Sequence, residues 1–431
     1  CGIAGIFNKE NIKVDSNIIQ KMSRSLVHRG PDQEGFHVDS NIHLASRRLS
    51  IIDIKGGLQP IYDKQKRYCI VYNGEIYNFK EIKTELLNKG HLFATDSDTE
   101  VILASFLEWK EKCVDKLKGM FAFCIWDKAQ NQLFVARDRM GIKPLYFNLT
   151  DQAFSFASNM QALAMQGVDK SINPIALQQQ LSLHGVVPAP HTIINGVNKI
   201  KPATTLTINS RGRVVERTYW QPKAMRPKGA LTDKQFIQRT HELLTHSILK
   251  RMNAADVPIG VLLSGGLDSS LLVALLREAG HEDIRTFSIG FEDVGDEVGS
   301  EFEYSDQIVA QFKTQHKKYV ISNAQVLPRL GEAVANMSEP MVAQDAVAFY
   351  LLSEQVSKHI KVVLSGQGAD EAFAGYFWYE RMQAQAGSEV ERFTRHYVDR
   401  SHEEYLQTVN QQYHSANHTE TWLHHEFSKA N

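Results

Sequence analysis

Two patterns of apolar spacing divide the chain. As far as residue 208, apolar and polar positions alternate in short runs rich in β-branched and aromatic residues. These runs are "HLASRRLSIID" (43–53), "RYCIVYNGEI" (67–76), "MFAFCIWD" (120–127), "NQLFVARD" (131–138) and "AFSFAS" (153–158). Such runs between turn residues predict strands. Helical spacing covers 77–89 and 98–110, the second opened by Asp98 of "SDTE" as the expected N-cap. Short strands with few intervening helices predict antiparallel sheets.

After residue 231 the pattern changes to alternation of helix and apolar strand. Helices are expected over 232–252, 269–279, 303–313 and 345–358, and strands over 259–263, 284–291, 317–321 and 360–365. That order predicts a doubly wound parallel sheet with ligands at the carboxyl ends of its strands. Between the two regions, "QPKAMRPKGA" (221–230) lacks periodicity and reads as a linker. The expected organisation is therefore a domain over 1–208, a linker over 209–231 and a second domain over 232–431.

Composition narrows the classes of function. The 431 residues carry 48 basic and 49 acidic side chains, a net charge of -1, so no electrostatic case exists for nucleic acid or a membrane surface. No apolar run approaches the roughly 18 residues needed to span a bilayer, and no signal peptide is read at the N-terminus. Cys69, Cys113 and Cys124 read as reduced core thiols, and the setting expected is cytoplasmic. His414, His418, His424 and His425 read as a solvated terminal helix, not as metal ligands.

"GVLLSGGLDSS" (260–270) is a strand, a glycine turn and a helix start, the form of a phosphate cradle without the lysine of a Walker loop. "VVLSGQGADE" (362–371) repeats that form. Asp268 and Asp370 then lie at strand ends of one sheet, where two carboxylates beside phosphates suit Mg²⁺; helix capping is the plainer reading of each. The first residue, Cys1 of "CGIAGIF", is either a small core hydrophobe or a nucleophile activated by its own α-amine.

The SGGLDSS stretch resembles the pyrophosphate loop of the ATP pyrophosphatases. "CGIAGIF", "RGPDQEG" (29–35), "SRRLSIID" (46–53), "NGEIYN" (73–78), "SDTE" (97–100) and "RDRMGIKPLY" (137–146) together resemble a class II glutaminase of the N-terminal-nucleophile fold. The whole is similar to the glutamine-dependent asparagine synthetases. The implied fold is stacked antiparallel sheets between helices, followed by the parallel-sheet domain. For the first site the resemblance implies Cys1 as nucleophile, with its amine, pKa about 8, as base. It implies Asn73 and Gly74 as oxyanion donors, and Arg48, Asp98 and Glu75 as glutamine contacts. A surface ion pair is the plainer reading of Arg48 and Asp98.

For the second site it implies phosphate contacts from Ser264, Gly265, Gly266, Asp268, Ser269, Ser365 and Gly366, adenine contacts at Leu262 and Ile289, and Mg²⁺ on Asp268 and Asp370. The partners implied are small molecules: glutamine, ATP as a substrate, and an acceptor carboxylate. A homodimer is the candidate assembly. Ammonia released at the first site is implied to cross a shielded passage to displace AMP from an acyl-adenylate.

The asparagine-forming enzymes read Ser-Gly-Glu-Gly where this chain has Gln367, which cannot act as a base. With "SEPMVAQDAVAFYLLS" (338–353) and "DRSHEEYLQTV" (399–409), this resembles the subgroup that amidates N-acetylglutaminylglutamine, with aspartate the competing acceptor. The family's C-terminal helical segment is not found, so the second domain is expected to be incomplete. Two further readings stand beside the ligase. A sugar-phosphate or phosphoribosyl amidotransferase is contradicted by SGGLDSS. A relative with glutaminase activity alone, or a non-catalytic binding role, is kept open by Gln367.

Overall fold

The computed structural model describes residues 1–9, 12–223, 229, 231–296, 298–341 and 345–429. It falls into two compact units, one of residues 1–177 with 187–223, the other of 178–186 with 224–431. Parts of the expected linker (224–228, 230) and of the 338–353 stretch (342–344) lie outside the described residues, as does the side chain of Asp345.

The first unit is built on two six-stranded sheets. Its strands are β1 (Gly2–Asn8), β2 (Gln33–Val38), β3 (Ile42–Arg48), β4 (Ile61–Tyr62), β5 (Tyr68–Ile76), β6 (Gly119–Asp127), β7 (Gln132–Arg137), β8 (Tyr146–Leu149), β9 (Ala153–Ala157), β10 (Asn198–Lys199), β11 (Thr204–Asn209) and β12 (Val214–Thr218). One sheet runs β10-β8-β9-β1-β3-β2 and the other β12-β11-β7-β6-β5-β4, with every pairing antiparallel. The helices are α1 (Ser16–Ser25), α2 (Phe79–Asn88), α3 (Asp98–Trp109), α4 (Cys113–Lys116) and α5 (Met160–Ala164), and α6 (Pro174–Ser182) begins in this unit and passes into the second after Leu177.

Alternation along the strands explains the layering. Ile3 and Phe7 of β1 enter the core between the sheets, against Val71, Cys124, Leu133 and Ile208 of the other sheet. Ala4 and Ile6, on the opposite face of β1, pack with Ile19, Met22 and Leu26 of α1 and its following turn. Both sheets are thus lined on their inner faces and covered by helices outside. Cys69, Cys113 and Cys124 are buried, free thiols.

Strand β12 lies in the stretch read from sequence as linker. It pairs with β11 from Thr204↔Thr218 to Ile208↔Val214, which carries the first unit past residue 208. At the edge of its sheet it has one strand neighbour among the described residues, and its exposed Val215, Glu216 and Thr218 blur the apolar signal. The second unit also takes in Gln178–Val186. The buried Gln178 amide bonds His402 Nδ1 at 2.7 Å and accepts the His418 N–H at 2.9 Å.

The second unit has a four-stranded parallel sheet. Its strands are β13 (Ile259–Leu262), β14 (Arg285–Phe291), β15 (Gln315–Ile321) and β16 (Val362–Leu364), in the order β15-β14-β13-β16. Its helices are α7 (Asp233–Ala254), α8 (Leu267–Glu278), α9 (Phe302–Phe312), α10 (Asn323–Asn336), α11 (Asp345–Ser357), α12 (Ala369–Phe373), α13 (Phe377–Ala384), α14 (Glu389–Tyr397), α15 (His402–Thr408) and α16 (His418–Ser428). Ile248, Val273 and Leu276 cover one face of the sheet, and Leu352, Val356 and Ile360 the other. Among the described residues no helix is long and apolar enough to cross a membrane.

Candidate active sites

Strand register assembles the first site. β1 and β3 pair antiparallel with Gly2 opposite Arg47, so one step further Cys1 stands opposite Arg48. The Cys1 sulfur receives the Leu49 N–H at 3.4 Å, and the thiol lies 3.6 Å from the Leu49 carbonyl. Arg29 Nε donates to the Cys1 carbonyl at 3.1 Å. The α-amine is pushed from 8.0 to about 4, chiefly by burial and then by the positive charges of Arg29 and Lys143, against Glu75 and Asp32. The ordinary value expected from sequence does not hold: this amine is uncharged at neutral pH. Lys143 is itself pushed down by burial, with Glu75 opposing.

Strand β5 supplies the donors. Its neighbour β4 reaches only Cys69 and Ile70, which leaves the edge from Tyr72 to Ile76 open. On that edge the Tyr72 N–H donates to Gln59 Oε1 (2.7 Å) and the Ile76 N–H to Asp98 Oδ2 (3.1 Å). Backbone N–H groups two residues apart share an edge, so the Gly74 N–H points the same way, between them. Beside it, the buried Nδ2 of Asn73 has no hydrogen-bond partner among the described residues. A buried amide donor left unanswered is costly, and such groups occur where a ligand or mechanism uses them.

Arg48 and Asp98 are both buried, which removes the surface-ion-pair reading. Arg48 Nη1 donates to Gln33 Oε1 (2.7 Å) and Nη2 to the carbonyls of Ile52 and Asp53 (both 2.7 Å). Burial lowers its pKa, opposed by Asp53, Asp98 and Asp32. Asp98 is not the N-cap of α3. Ser97 is, its hydroxyl accepting the Glu100 N–H, and Asp98 in the first turn accepts from the Tyr72 hydroxyl at 2.8 Å. Burial raises its carboxyl to about 6. Glu75 is buried and acts on both the Cys1 amine and Lys143.

In the second unit, β13 and β16 are parallel neighbours with Val261 opposite Leu364, so their following loops lie side by side. They border a cavity of about 990 Å³. Ser264, Gly266, Asp268 and Ser269 line it from the first loop, Ser365, Gly366 and Asp370 from the second, and Leu262 and Ile289 from the strands. Gly265 does not line it. At φ +89° it turns the loop, and a Cβ there would meet the Ser305 N at 2.5 Å. Ser264 and Ser269 hydroxyls lie 3.0 Å apart, and α8 starts at Gly266 without a side-chain cap, leaving N–H groups for an anion. Gly366 packs on Asp268, where an added Cβ would come within 2.8 Å of the Asp268 Cβ. Among the described residues no group of three or more His, Cys, Asp or Glu side chains is placed to hold a metal ion; Asp268 and Asp370 both line the cavity, and two carboxylates beside an anion cradle are as many as Mg²⁺ takes when phosphate oxygens complete its shell. Gln367 lines the same cavity and is exposed.

The first unit thus places the Cys1 thiol and amine on sandwiched antiparallel sheets beside the edge of β5, and the second unit sets two glycine loops at the strand ends of a parallel sheet. Residues 1–220 match the family described as a glutamine amidotransferase domain, and 239–430 that described as asparagine synthase. Asparagine synthetase [glutamine-hydrolyzing] 1 of Bacillus subtilis is 38% identical over 88% of this chain and 59% of its own length. Asparagine synthetase 3 of the same organism is 33% identical over 90% and 65%, and asparagine synthetase B of Escherichia coli 30% over 88% and 65%. The chain belongs to the glutamine-hydrolysing asparagine synthetase family, which are carbon–nitrogen ligases. It spans 59% to 65% of the length of these relatives.

Arg29, Lys143, Tyr72 and Gln33 were not assigned roles from sequence. Arg29 and Lys143 stand in the RGPDQEG and RDRMGIKPLY motifs, and a basic residue in each was the available signal.

Proposed function

We propose that Cys1 releases ammonia from glutamine, and that the second unit uses ATP to adenylate an acceptor carboxylate with loss of pyrophosphate. Ammonia then displaces AMP to form an amide. The observation that carries the first half is the enclosed, unpartnered Nδ2 of Asn73 beside the open Gly74 N–H. In this reading the neutral amine takes the Cys1 thiol proton as sulfur attacks the amide carbon. The carbonyl oxygen gains charge facing Asn73 and Gly74. The Cys1 amine then returns that proton to the leaving nitrogen as the tetrahedral species collapses to a thioester and ammonia, and water cleaves the thioester to glutamate and the free thiol. Arg48 and Asp98 hold the α-carboxylate and α-ammonium of glutamine, with Glu75 a further contact.

In the second unit Ser264, Gly266, Ser269, Ser365 and Gly366 hold the ATP phosphates, with Gly265 shaping the turn, and Leu262 and Ile289 meet adenine. Asp268 and Asp370 would hold Mg²⁺, which supplies charge neutralisation on the phosphates. Aspartate and an N-acetylglutaminylglutamine-like dipeptide are the candidate acceptors. Gln367 in the cavity, in place of a carboxylate, favours the dipeptide. The test is AMP and pyrophosphate release with glutamine, ATP and Mg²⁺, each acceptor supplied in turn. Aspartate-dependent release alone would overturn the dipeptide reading. Cys1→Ala is expected to lose glutamine turnover, and turnover persisting in that variant would overturn the nucleophile.

A further inference from the structure

The motif SRRLSIID ends in a residue given no role so far. Asp53 has φ +48°, a left-handed conformation that a non-glycine residue adopts seldom and Asp more readily than most. Strain of this kind persists where the surroundings over-determine it, often at functional sites. Here the surroundings are specific. Asp53 Oδ1 accepts the Gly56 N–H at 2.8 Å, closing its own turn. Oδ2 accepts the Asp96 N–H at 2.9 Å, two residues before Asp98. The Asp53 carbonyl accepts Arg48 Nη2 at 2.7 Å and the Gly57 N–H at 3.0 Å.

The left-handed turn thus aims three successive carbonyls, of Ile52, Asp53 and Ile54, at the Arg48 guanidinium (2.7, 2.7 and 3.3 Å). The fit leaves no slack. A Cβ at Gly56 would stand 2.4 Å from Asp53 Oδ2, and one at Gly57 2.5 Å from Arg48 Nη2. The same carboxylate reaches across to the loop that carries Asp98. That loop is held independently by Lys83, whose ammonium donates to the Thr95 carbonyl (2.9 Å) and Asp96 Oδ1 (2.7 Å).

We propose that Asp53 is a positioning residue: it fastens the loop caging Arg48 to the loop bearing Asp98, and so fixes the spacing of the two charges that receive the head group of an α-amino acid. This rests on the glutaminase reading of the first unit. Asp53 touches neither substrate nor the reacting atoms. Its effect is on recognition, and the chemistry at Cys1 is independent of it.

The test uses the whole chain. Asp53→Asn keeps a residue that tolerates the left-handed turn, but its amide can accept only one of the two N–H groups and presents a donor to the other. Glutamine KM is expected to rise about tenfold or more, with kcat changed less than about twofold. Alkylation of Cys1 by iodoacetamide, which has no amino-acid head group, should keep its rate. In an Asp98→Asn background the same substitution should add less than about twofold, because the second charge is gone. Asp53→Gly, which keeps the turn and loses both carboxylate bonds, should raise KM further and serves if the Asn variant is poorly folded. A fall in kcat at unchanged KM, or full multiplication of the effect on Asp98→Asn, overturns the proposal. Absence of turnover in the unaltered chain removes the glutaminase reading and this inference together, whereas turnover with an unmoved KM in Asp53→Asn removes this inference alone.

Discussion

Asp98 sets a limit on glutamine turnover that follows from its surroundings. Burial raises its carboxyl from 3.8 to about 6, against the opposing effects of the Tyr72 hydroxyl, the Ile76 and Thr99 N–H groups and Arg48. To face an ammonium it must be ionised, so the competent form of the free protein is lost as pH falls through about 6. The Cys1 amine must be neutral to accept the thiol proton, and at about 4 it adds a second loss only in more acid solution. For glutamine, kcat/KM should therefore be flat between about pH 6.5 and 8, then fall about tenfold per unit between about 6 and 4. Asp98→Asn abolishes that inflection and, near neutrality, costs about 2–5 kcal/mol, roughly 30-fold to several thousandfold in kcat/KM. Wild type and variant should converge as the solution is acidified. Initial rates of ammonia release across this range, at constant ionic strength, measure both curves. An inflection near 8 in the wild type would show that the amine keeps its ordinary value and refute the burial argument. An inflection near 6 surviving in the variant would take the assignment away from Asp98.

Asn73→Ala should lower glutaminase kcat by about 10²–10³, some 3 kcal/mol, while KM moves little, as steady-state ammonia release will show. Gly366→Ala forces a Cβ to within 2.8 Å of the Asp268 Cβ, so ATP–pyrophosphate exchange should be lost with glutamine hydrolysis intact. The Cys1 amine also governs stability. Its folded pKa is depressed, so between about 8 and 4 the unfolded chain binds a proton that the folded chain does not, and stability falls by about 1.4 kcal/mol per unit as pH drops. Asp98, raised by burial, contributes with the opposite sign between about 6 and 4, whereas the buried His43, the half-buried His37, and His28, all lowered, add to the loss. Urea unfolding followed from about pH 8 to 6 should show the decline, and a flat or rising curve would contradict it.

Local patterns carried much of the fold. Apolar alternation placed β3, β5, β6, β7 and β9, and the switch to helix–strand alternation marked the parallel sheet and both glycine loops. What escaped was set by contacts distant in sequence. Asp98 looked like a cap because Ser97 precedes it by one residue, and only the folding of α3 against β5 turns its carboxylate to Tyr72 and Ile76. The depressed amine of Cys1 needs Arg29 and Lys143, from two motifs far apart in sequence, brought to its side. β12 escaped because an edge strand with one covered face alternates weakly. Asp53 was visible as a motif residue, but its function lies in a backbone angle.

The two-residue length of β4 has a further consequence. A sheet edge is normally a hazard, because its free N–H groups invite another chain to add as a strand. Here β4 stops short, and side chains answer the exposed groups of β5 one by one, Gln59 at Tyr72 and Asp98 at Ile76. The opening left at Gly74 is one residue wide. No polypeptide can extend along it, yet a single amide can lie there as though it were the next strand. In the proposed reaction, glutamine is read in the manner of a peptide one residue long.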